Sequence, residues 1–283
     1  MKVLIIGSRG FTGRHLMERL RGNSAFTPIV SADYGVDLRR KETIARALDA
    51  IGPDAVINLG AVSFIGSTDL SALFDVNAFG HLNLLESLAE KGFSGKLLFA
   101  SSANIYGNNT RGVLREDRCP DPANPYAMSK LLAENFCKLF ADRLEIVIVR
   151  PFSCIGLGQD TKFLVPKIVE CFKSRRRLIE LGNIDVERDF VDIRDVAAAY
   201  ERLLTASHPP SQIHISSGEV CSIRRLIDIL SEITGHKVDI QIDPVLVRPN
   251  DLFHQQGDAT RLAALGFKRN YSIRDTLGWM VQS

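Results

Sequence analysis

The chain has 283 residues, enough for one large domain or two modest ones with a sizeable core. Its 35 basic and 33 acidic side chains leave a net charge of +2, which does not indicate a strongly basic surface that would bind a nucleic acid or an acidic membrane. No apolar run approaches the length of a membrane span, so we expect a soluble protein without a membrane partner.

The five cysteines are scattered and odd in number, and they lack the spacing of a zinc site or a disulfide frame. We therefore expect reduced thiols, a cytoplasmic location and no bound metal. The chain starts with Met1 and Lys2 followed by four apolar residues, a run too short for a signal peptide. This run is predicted to form the first strand.

A glycine-rich turn follows that strand. Glycines stand at positions 7, 10 and 13, between apolar Val3–Ile6 and a helical stretch that continues to about Leu20. This spacing permits a tight turn, a close backbone approach to a pyrophosphate and close packing of the helix on the strand. The helix would direct its free N–H groups at the phosphates. The residues predicted to bind a dinucleotide here are Gly7, Arg9, Gly10, Phe11, Thr12 and Gly13.

Strands and helices then alternate along the chain. Predicted strands cover 28–32, 55–59, 96–100 and 145–149, and predicted helices cover 42–51, 70–92 and 126–143. Buried strands separated by amphipathic helices predict an α/β fold of the Rossmann type, with a doubly wound parallel sheet. The pattern loosens after residue 151. We expect a dinucleotide-binding domain formed by residues 1–152 and 189–213, and a smaller C-terminal substrate-binding lobe formed by residues 153–188 and 214–283.

Tyr126 and Lys130 are four residues apart in a predicted helix. Asn124 is a natural N-cap and Pro125 suits the first helical position, so the helix should begin there. Residues at this spacing share one helix face, and a nearby ammonium lowers the pKa of a phenol. The pair is therefore a candidate for proton transfer. A tyrosine and a lysine on a solvated helix face would show the same spacing.

Ser101 and Ser102 follow the predicted strand 96–100. Ligands of a doubly wound sheet bind outside the carboxyl ends of its strands, so these hydroxyls should face the cofactor crevice. A serine there could hydrogen-bond a substrate carbonyl. A polar strand end capped by serine hydroxyls is the ordinary alternative.

Several segments together resemble motifs of the extended short-chain dehydrogenase/reductases that act on nucleotide sugars, the NAD-dependent epimerase/dehydratase family. The likeness spans nearly the whole chain and is closest to reductases of GDP-4-keto-6-deoxy-mannose. The segments are Gly7–Gly13, Asn58–Ala61, Ser102–Gly107, Asn124–Lys130, Arg150–Phe152, Leu181–Asp185, Arg188–Ile193 and Arg248–Pro249.

The resemblance implies a role for each matching residue. Ser102 is the catalytic hydroxyl, Tyr126 the acid/base, and Lys130 the group that binds the cofactor ribose and lowers the pKa of Tyr126. Arg188 and Arg248 would hold the substrate's diphosphate, although both could be surface ion-pair partners instead. Further residues implied in cofactor binding are Asp37, Leu38, Leu59, Gly60 and Ala61, and those implied in substrate binding are Asn104, Ser153, Gly182 and Asn183.

Two positions depart from the family pattern. Ala103 and Asn104 stand where dehydratases of the family carry acidic residues, which argues against dehydration of the sugar. Ser153 stands where relatives usually have an asparagine that binds the nucleotide diphosphate, and a serine is shorter and lacks the amide donor. The placement of the substrate at Ser153 therefore stays open.

The choice of cofactor is between NAD(H) and NADP(H). Asp33 lies 20 residues beyond Gly13, where a carboxylate would bond the ribose hydroxyls and repel a 2′-phosphate, which favours NAD(H). Arg9 stands where some relatives use an arginine to hold that phosphate. Asp33 could equally be an ordinary loop carboxylate.

Three function classes follow. The first is an NAD(P)H-dependent reductase of a 4-keto-6-deoxy nucleotide sugar, and the second is a 4-epimerase that retains its NAD. The third is a non-catalytic nucleotide-binding relative, against which the Ser102, Tyr126 and Lys130 set argues.

The helices 70–92 and 126–143 carry apolar residues on more than one face, which predicts a homodimer with a four-helix interface.

Overall fold

A six-stranded parallel sheet forms the centre of the computed structural model, which describes residues 1–63, 69–247 and 252–283. Its strands, numbered in chain order with the rest of the elements, are β1 Lys2–Ile6, β2 Thr27–Val30, β3 Ala55–Asn58, β4 Lys96–Ala100, β6 Glu145–Pro151 and β11 Gln212–Ile215. The strand order across the sheet is β2-β1-β3-β4-β6-β11. The chain runs from β1 to its neighbour β2 and then returns past β1 to β3, so the topological switch point lies between β1 and β3.

Helices cover both faces of this sheet. Buried side chains of α1 (Phe11–Arg21) and α7 (Ile193–Thr205) pack on one face, and those of α2 (Lys41–Ile51), α4 (Gly80–Glu90) and α5 (Pro125–Leu139) pack on the other. The predicted α/β fold with a doubly wound parallel sheet is therefore confirmed. The helices are α1 Phe11–Arg21, α2 Lys41–Ile51, α3 Leu70–Phe74, α4 Gly80–Glu90, α5 Pro125–Leu139, α6 Leu164–Lys173, α7 Ile193–Thr205, α8 Ile223–Thr234, α9 Thr260–Ala264 and α10 Ile273–Gln282.

A third apolar cluster lies outside the sheet's two core layers. Its buried residues belong to stretches 155–186, 223–230 and 277–280. This composition supports the predicted smaller lobe, whose exact bounds remain a proposal. The shorter strands are β5 Val113–Leu114, β7 Ser153–Ile155, β8 Leu178–Leu181, β9 Glu187–Arg188, β10 Phe190–Asp192, β12 Cys221–Ser222, β13 Asp239–Ile242 and β14 His254–Gly257. None of the described helices is long and apolar enough to cross a membrane.

The helix predicted over 70–92 is interrupted. Residues Asp75–Phe79 form a wider turn of π type between α3 and α4. Asn77 within it is buried, and its side chain accepts a bond from the Val62 nitrogen and donates to the Val62 oxygen and to Ser129 Oγ. These side-chain bonds pair with the backbone nitrogen and oxygen of Val62 in the loop after β3. The spacing of apolar residues, from which the helix 70–92 is predicted, contains no information about them.

Candidate active site

The turn between β1 and α1 is so close-packed that two of its positions require glycine. Gly7 has a φ of +79°, and a Cβ there would lie 2.8 Å from the nitrogen of Gly60. A Cβ on Gly13 would lie 2.3 Å from the carbonyl oxygen of Gly7. The first turn of α1 carries no acidic residue, and the buried Ser8 Oγ has no hydrogen-bond partner among the described residues. Free helix N–H groups beside an available hydroxyl fit the pyrophosphate of a dinucleotide.

The other residues predicted to bind the cofactor gather around this turn. Phe11 and Thr12 are the first residues of α1. The loop that follows β3 is held beside β1, because the Leu59 nitrogen donates to the Ile6 oxygen at 2.9 Å. Gly60 and Ala61 continue that loop. Both segments leave the carboxyl ends of neighbouring strands, β1 and β3, where a dinucleotide binds in this architecture.

A cavity of about 420 Å³ adjoins the glycine turn. Arg9 borders it and forms an ion pair with Asp33, with Nη2 and Oδ1 3.0 Å apart. Both side chains are well exposed, at 75% and 59%. Asp37 also borders the cavity, and hydrogen bonds from Arg39 hold the pKa of this carboxyl below its usual range. The cavity is lined by Ile6, Gly7, Ser8, Arg9, Gly10, Ser31, Ala32, Val36, Asp37, Leu38 and Val76.

The end of β4 and the start of α5 hold the three predicted catalytic residues. Ser102 caps the single helical turn 103–106, and its Oγ accepts a hydrogen bond from the Asn104 nitrogen at 3.1 Å. Lys130 is almost fully buried, and its Nζ donates to the oxygen of Ala100, the last residue of β4, at 2.7 Å. This bond ties the helix that carries Tyr126 to the strand end that precedes Ser102.

The helix α5 begins where the sequence predicts. Asn124 Oδ1 accepts a hydrogen bond from the Ala127 nitrogen at 2.9 Å, and Pro125 occupies the first position. Tyr126 therefore stands in the first helical turn, with its ring half-buried, and Lys130 follows one turn later.

The pKa of Tyr126 changes in the direction opposite to the expected one. Burial raises the pKa of this phenol to about 12, and a hydrogen bond with the Ser102 side chain acts against the increase. The Lys130 ammonium is directed at Ala100 instead of the phenol. Burial lowers the pKa of Lys130 to about 8, while the carboxylate of Glu134 acts to raise it. The phenol is thus protonated at neutral pH and able to donate a proton.

Two strands predicted to bind substrate are connected to the single helical turn 103–106 that follows Ser102, which we call the catalytic turn. Arg188 in β9 is paired in register with Gln255 of β14. The Gln255 side chain donates to the Ala103 oxygen at 3.1 Å, immediately after Ser102. Ser153 is half-buried in β7, and its nitrogen donates to the oxygen of residue 189, next to Arg188. The strand that carries Arg188 is therefore linked to the residue after Ser102 through β14, and the strand that carries Ser153 is linked to the residue after Arg188.

Gly182 and Asn183 lie in the loop after β8. A Cβ on Gly182 would lie 2.3 Å from the oxygen of Leu246, so the loop packs closely on that backbone. Asn183 Oδ1 accepts a hydrogen bond from the Asp185 nitrogen at 3.0 Å. Arg248, which is predicted to hold the diphosphate, lies outside the described residues. Its role therefore remains a prediction.

The sequence analysis gave no role to two buried charged residues and one partly buried thiol near the site, Glu134, Arg150 and Cys154. Glu134 is on α5, four residues after Lys130, and it forms a bidentate ion pair with Arg150. Cys154 is close enough to act on the pKa of Tyr126, and its own pKa is raised to about 12 by burial. The four-residue spacing from Lys130 could have indicated Glu134. No sequence signal indicated Cys154.

Comparison with known proteins gives the class to which this fold and site correspond. The model of the NAD dependent epimerase/dehydratase family matches residues 3–216. The chain belongs to this family.

Two relatives are similar over nearly the full length. The chain is 33% identical to the GDP-6-deoxy-D-talose 4-dehydrogenase of Aggregatibacter actinomycetemcomitans, over 93% of this chain and 90% of the relative. It is 32% identical to the GDP-6-deoxy-D-mannose reductase of Pseudomonas aeruginosa, over 98% of this chain and 94% of the relative. The solved structure of RMD from Pseudomonas aeruginosa, complexed with NADPH, superposes with a TM-score of 0.90 at 30% identity, over 99% of this chain and 96% of that one.

The residues present fit the dinucleotide that the family uses. The glycine turn would hold its pyrophosphate, because no side chain caps the start of α1 and its first turn carries no acidic residue, so its free N–H groups can donate to phosphate oxygens. The cavity bordered by Arg9 and Asp37 has room for the adenosine half. The nicotinamide would then extend toward Ser102 and Tyr126.

Proposed function

We propose that this protein is an NAD(P)H-dependent reductase of a 4-keto-6-deoxy nucleotide sugar, with GDP-4-keto-6-deoxy-D-mannose as the substrate. The observation that carries the proposal is the placement of Ser102 directly after β4 beside the start of α5, whose Tyr126 and Lys130 are joined to that strand end by the bond from Lys130 to Ala100. A ketone that receives a hydride becomes an alkoxide, which needs a proton donor at this place. The names of both similar relatives, which include GDP and a 6-deoxy sugar, support the choice of substrate.

Each catalytic side chain has a role in this reaction. The bound dinucleotide supplies the hydride. Ser102 donates a hydrogen bond to the substrate carbonyl and holds it in place, and Tyr126 gives its proton to the developing alkoxide. Lys130, one helical turn after Tyr126 and bonded to Ala100, contributes positive charge to the site as the proton leaves.

The diphosphate of the substrate would bind to Arg188 and Arg248, with Gly182 and Asn183 near the base. A guanidinium suits this role because its fork of donors matches phosphate oxygens. The strand that carries Arg188 adjoins the catalytic turn through Gln255, which supports the proposal.

We also propose that both dinucleotides bind, with NAD(H) favoured. Arg9 and Asp33 are paired at the cavity, so one side chain is available to a 2′-phosphate and the other to ribose hydroxyls.

The protein would act in the cytoplasm as a homodimer, with copies of α4 and α5 forming a four-helix interface. Exposed apolar side chains on these helices and the turn before them support that arrangement, namely Phe79, Met128 and Leu139.

The test is oxidation of NADH and NADPH in the presence of GDP-4-keto-6-deoxy-D-mannose. We expect turnover by the wild type, and we expect Tyr126→Phe to lower kcat by a hundredfold or more, about 3 kcal/mol of activation free energy. Tyr271→Phe is the matched control, since it removes the hydroxyl of a tyrosine whose ring is stacked on the Arg194 guanidinium. Wild-type turnover in Tyr126→Phe would exclude the proposed proton donor.

NMR analysis of the product decides the face of attack. D-mannose and D-talose derivatives differ in configuration at C4, so the product identifies which face received the hydride. Exchange of the cofactor in each turnover separates a reductase from an epimerase, which would purify with NAD firmly bound. If the wild type oxidises neither cofactor with any 4-keto nucleotide sugar, the reductase proposal is wrong.

A further inference from the structure

A buried cation in β6 contacts all the segments that carry the catalytic residues. Arg150 is 2% exposed, and its Nε and Nη2 donate to the two carboxylate oxygens of Glu134 at 2.9 and 2.7 Å. Its Nη1 donates to the Tyr106 hydroxyl at 2.7 Å and to the Glu116 oxygen at 2.9 Å. One guanidinium thus joins helix α5, the turn after Ser102 and the loop that leads toward α5.

The carboxylate of Glu134 provides the other half of this connection. Glu134 is fully buried and lies one helical turn after Lys130. It accepts a hydrogen bond from Ser101 Oγ, in addition to the two bonds from Arg150. The residues before and after Ser102 are therefore both held, Ser101 by the carboxylate and Tyr106 by the guanidinium. A fully bonded pair of this kind has one geometry, because any displacement leaves a buried charge without a partner.

Few other charges face Lys130. From its own helix it meets Glu134 and Cys137, and from α4 it meets His81. Burial raises the pKa of Cys137 well above its ordinary value and lowers that of His81 to about 3, so both are neutral at neutral pH. The aromatic ring of Phe99 lies 5.1 Å from Nζ. Among the described residues, Glu134 therefore supplies the carboxylate that acts on the Lys130 ammonium.

We infer that the buried Glu134–Arg150 pair is the positioning unit of this active site. It holds Ser102 at a fixed separation from Tyr126, and it places the Glu134 carboxylate one helical turn from Lys130 on the same face of α5. The inference rests on the proposed function for its kinetic consequence, but the effect on Lys130 is independent of the substrate. Neither residue contacts the reacting atoms, so both act through Ser102, Tyr126 and Lys130.

The first experiment follows the titration of Lys130 without substrate. The ¹³Cε signal of Lys130 is assigned with Lys130→Met and recorded against pH for the wild type, Glu134→Gln and Glu116→Gln. We expect Glu134→Gln to lower the pKa of Lys130 by about one unit, the scale of one charge at close range in a protein. Glu116→Gln is the matched control, since Glu116 is equally buried but contacts Arg150 only through its backbone oxygen. Identical titrations in the wild type and Glu134→Gln would overturn the inference.

The second experiment measures steady-state kinetics. We expect Glu134→Gln to lower kcat at least tenfold with KM for the sugar nucleotide changed less than threefold, and to move the basic limb of the pH profile to lower pH. The double variant Glu134→Leu/Arg150→Met replaces the pair by apolar side chains, a change that buried pairs often tolerate without unfolding. It should retain its thermal unfolding transition and still lose kcat.

The outcomes separate the two proposals. Full kcat in the folded double variant would refute the positioning role. An inactive wild type would refute the proposed substrate and leave the Lys130 titration to decide the role of Glu134.

Discussion

The Arg9–Asp33 pair makes a prediction about cofactor choice that can be worked out in numbers. Two unit charges at about 4 Å interact by about 1 kcal/mol in water, and a 2′-phosphate carries a charge of roughly −1.5 to −2. Removing the Asp33 charge should therefore favour NADPH by about 1.5–2 kcal/mol. Salt screening reduces this, so we expect Asp33→Asn to tighten NADPH binding by about tenfold. Arg9→Ala should change the preference in the opposite direction.

The assay is isothermal titration of NADH and NADPH against each variant at low and high salt. Asp33 and Arg9 are well exposed, so breaking their pair should alter the free energy of unfolding by less than about 1 kcal/mol. Asp49→Asn is the matched control, because it breaks an exposed pair with Lys91, 2.6 Å apart, away from the cavity. An NADPH-to-NADH affinity ratio that is the same in the wild type and in Asp33→Asn would refute the reasoning.

Three further predictions concern the turn, the buried lysine and the assembly. Gly13→Ala should cost about 1–3 kcal/mol of stability and weaken dinucleotide binding at least tenfold, whereas Gly278→Ala, which has open space, should cost nothing in chemical denaturation. The folded pKa of Lys130, about 8, is below its unfolded value of 10.5, so the unfolded chain binds the proton more tightly. The free energy of unfolding of the wild type, relative to that of Lys130→Met, should therefore rise from pH 8 to pH 10. A difference that does not change with pH would contradict this. Light scattering should give twice the 31.3 kDa chain mass, and Leu139→Glu, at a 72% exposed position, should give the monomer; a monomeric wild type would exclude the dimer.

The fold could be predicted because it depends on local patterns. The apolar strand before Gly7, the N-cap at Asn124 and the alternation of elements are each visible within a short window of sequence. The interruption around Asn77 could not be predicted in this way, because the side chain of Asn77 bonds to Val62 and Ser129, which are 15 and 52 residues away in the chain.

In the candidate site, too, only the features that depend on neighbouring residues in the sequence could be predicted. The spacing of Tyr126 and Lys130 correctly suggested a shared helix face, but burial decided the direction of the pKa change at Tyr126. Burial depends on what the rest of the chain places around a side chain. The Glu134–Arg150 pair joins a helix to a strand across 16 residues of the chain, and neither the Arg150–Phe152 segment nor the helical register of Glu134 with Lys130 predicts that the two side chains meet.

The hydrogen bond from Gln255 to Ala103 spans 152 residues of the chain. During synthesis the strand end that carries Ser102 emerges long before its partner, so the catalytic turn stays without this donor until the last tenth of the chain is being made. Contacts of such long sequence separation form slowly, because the loop-closure entropy is lost before the contact stabilises anything. The active site is therefore one of the last parts of the molecule to be completed, and a nascent chain with a finished sheet still lacks a finished site.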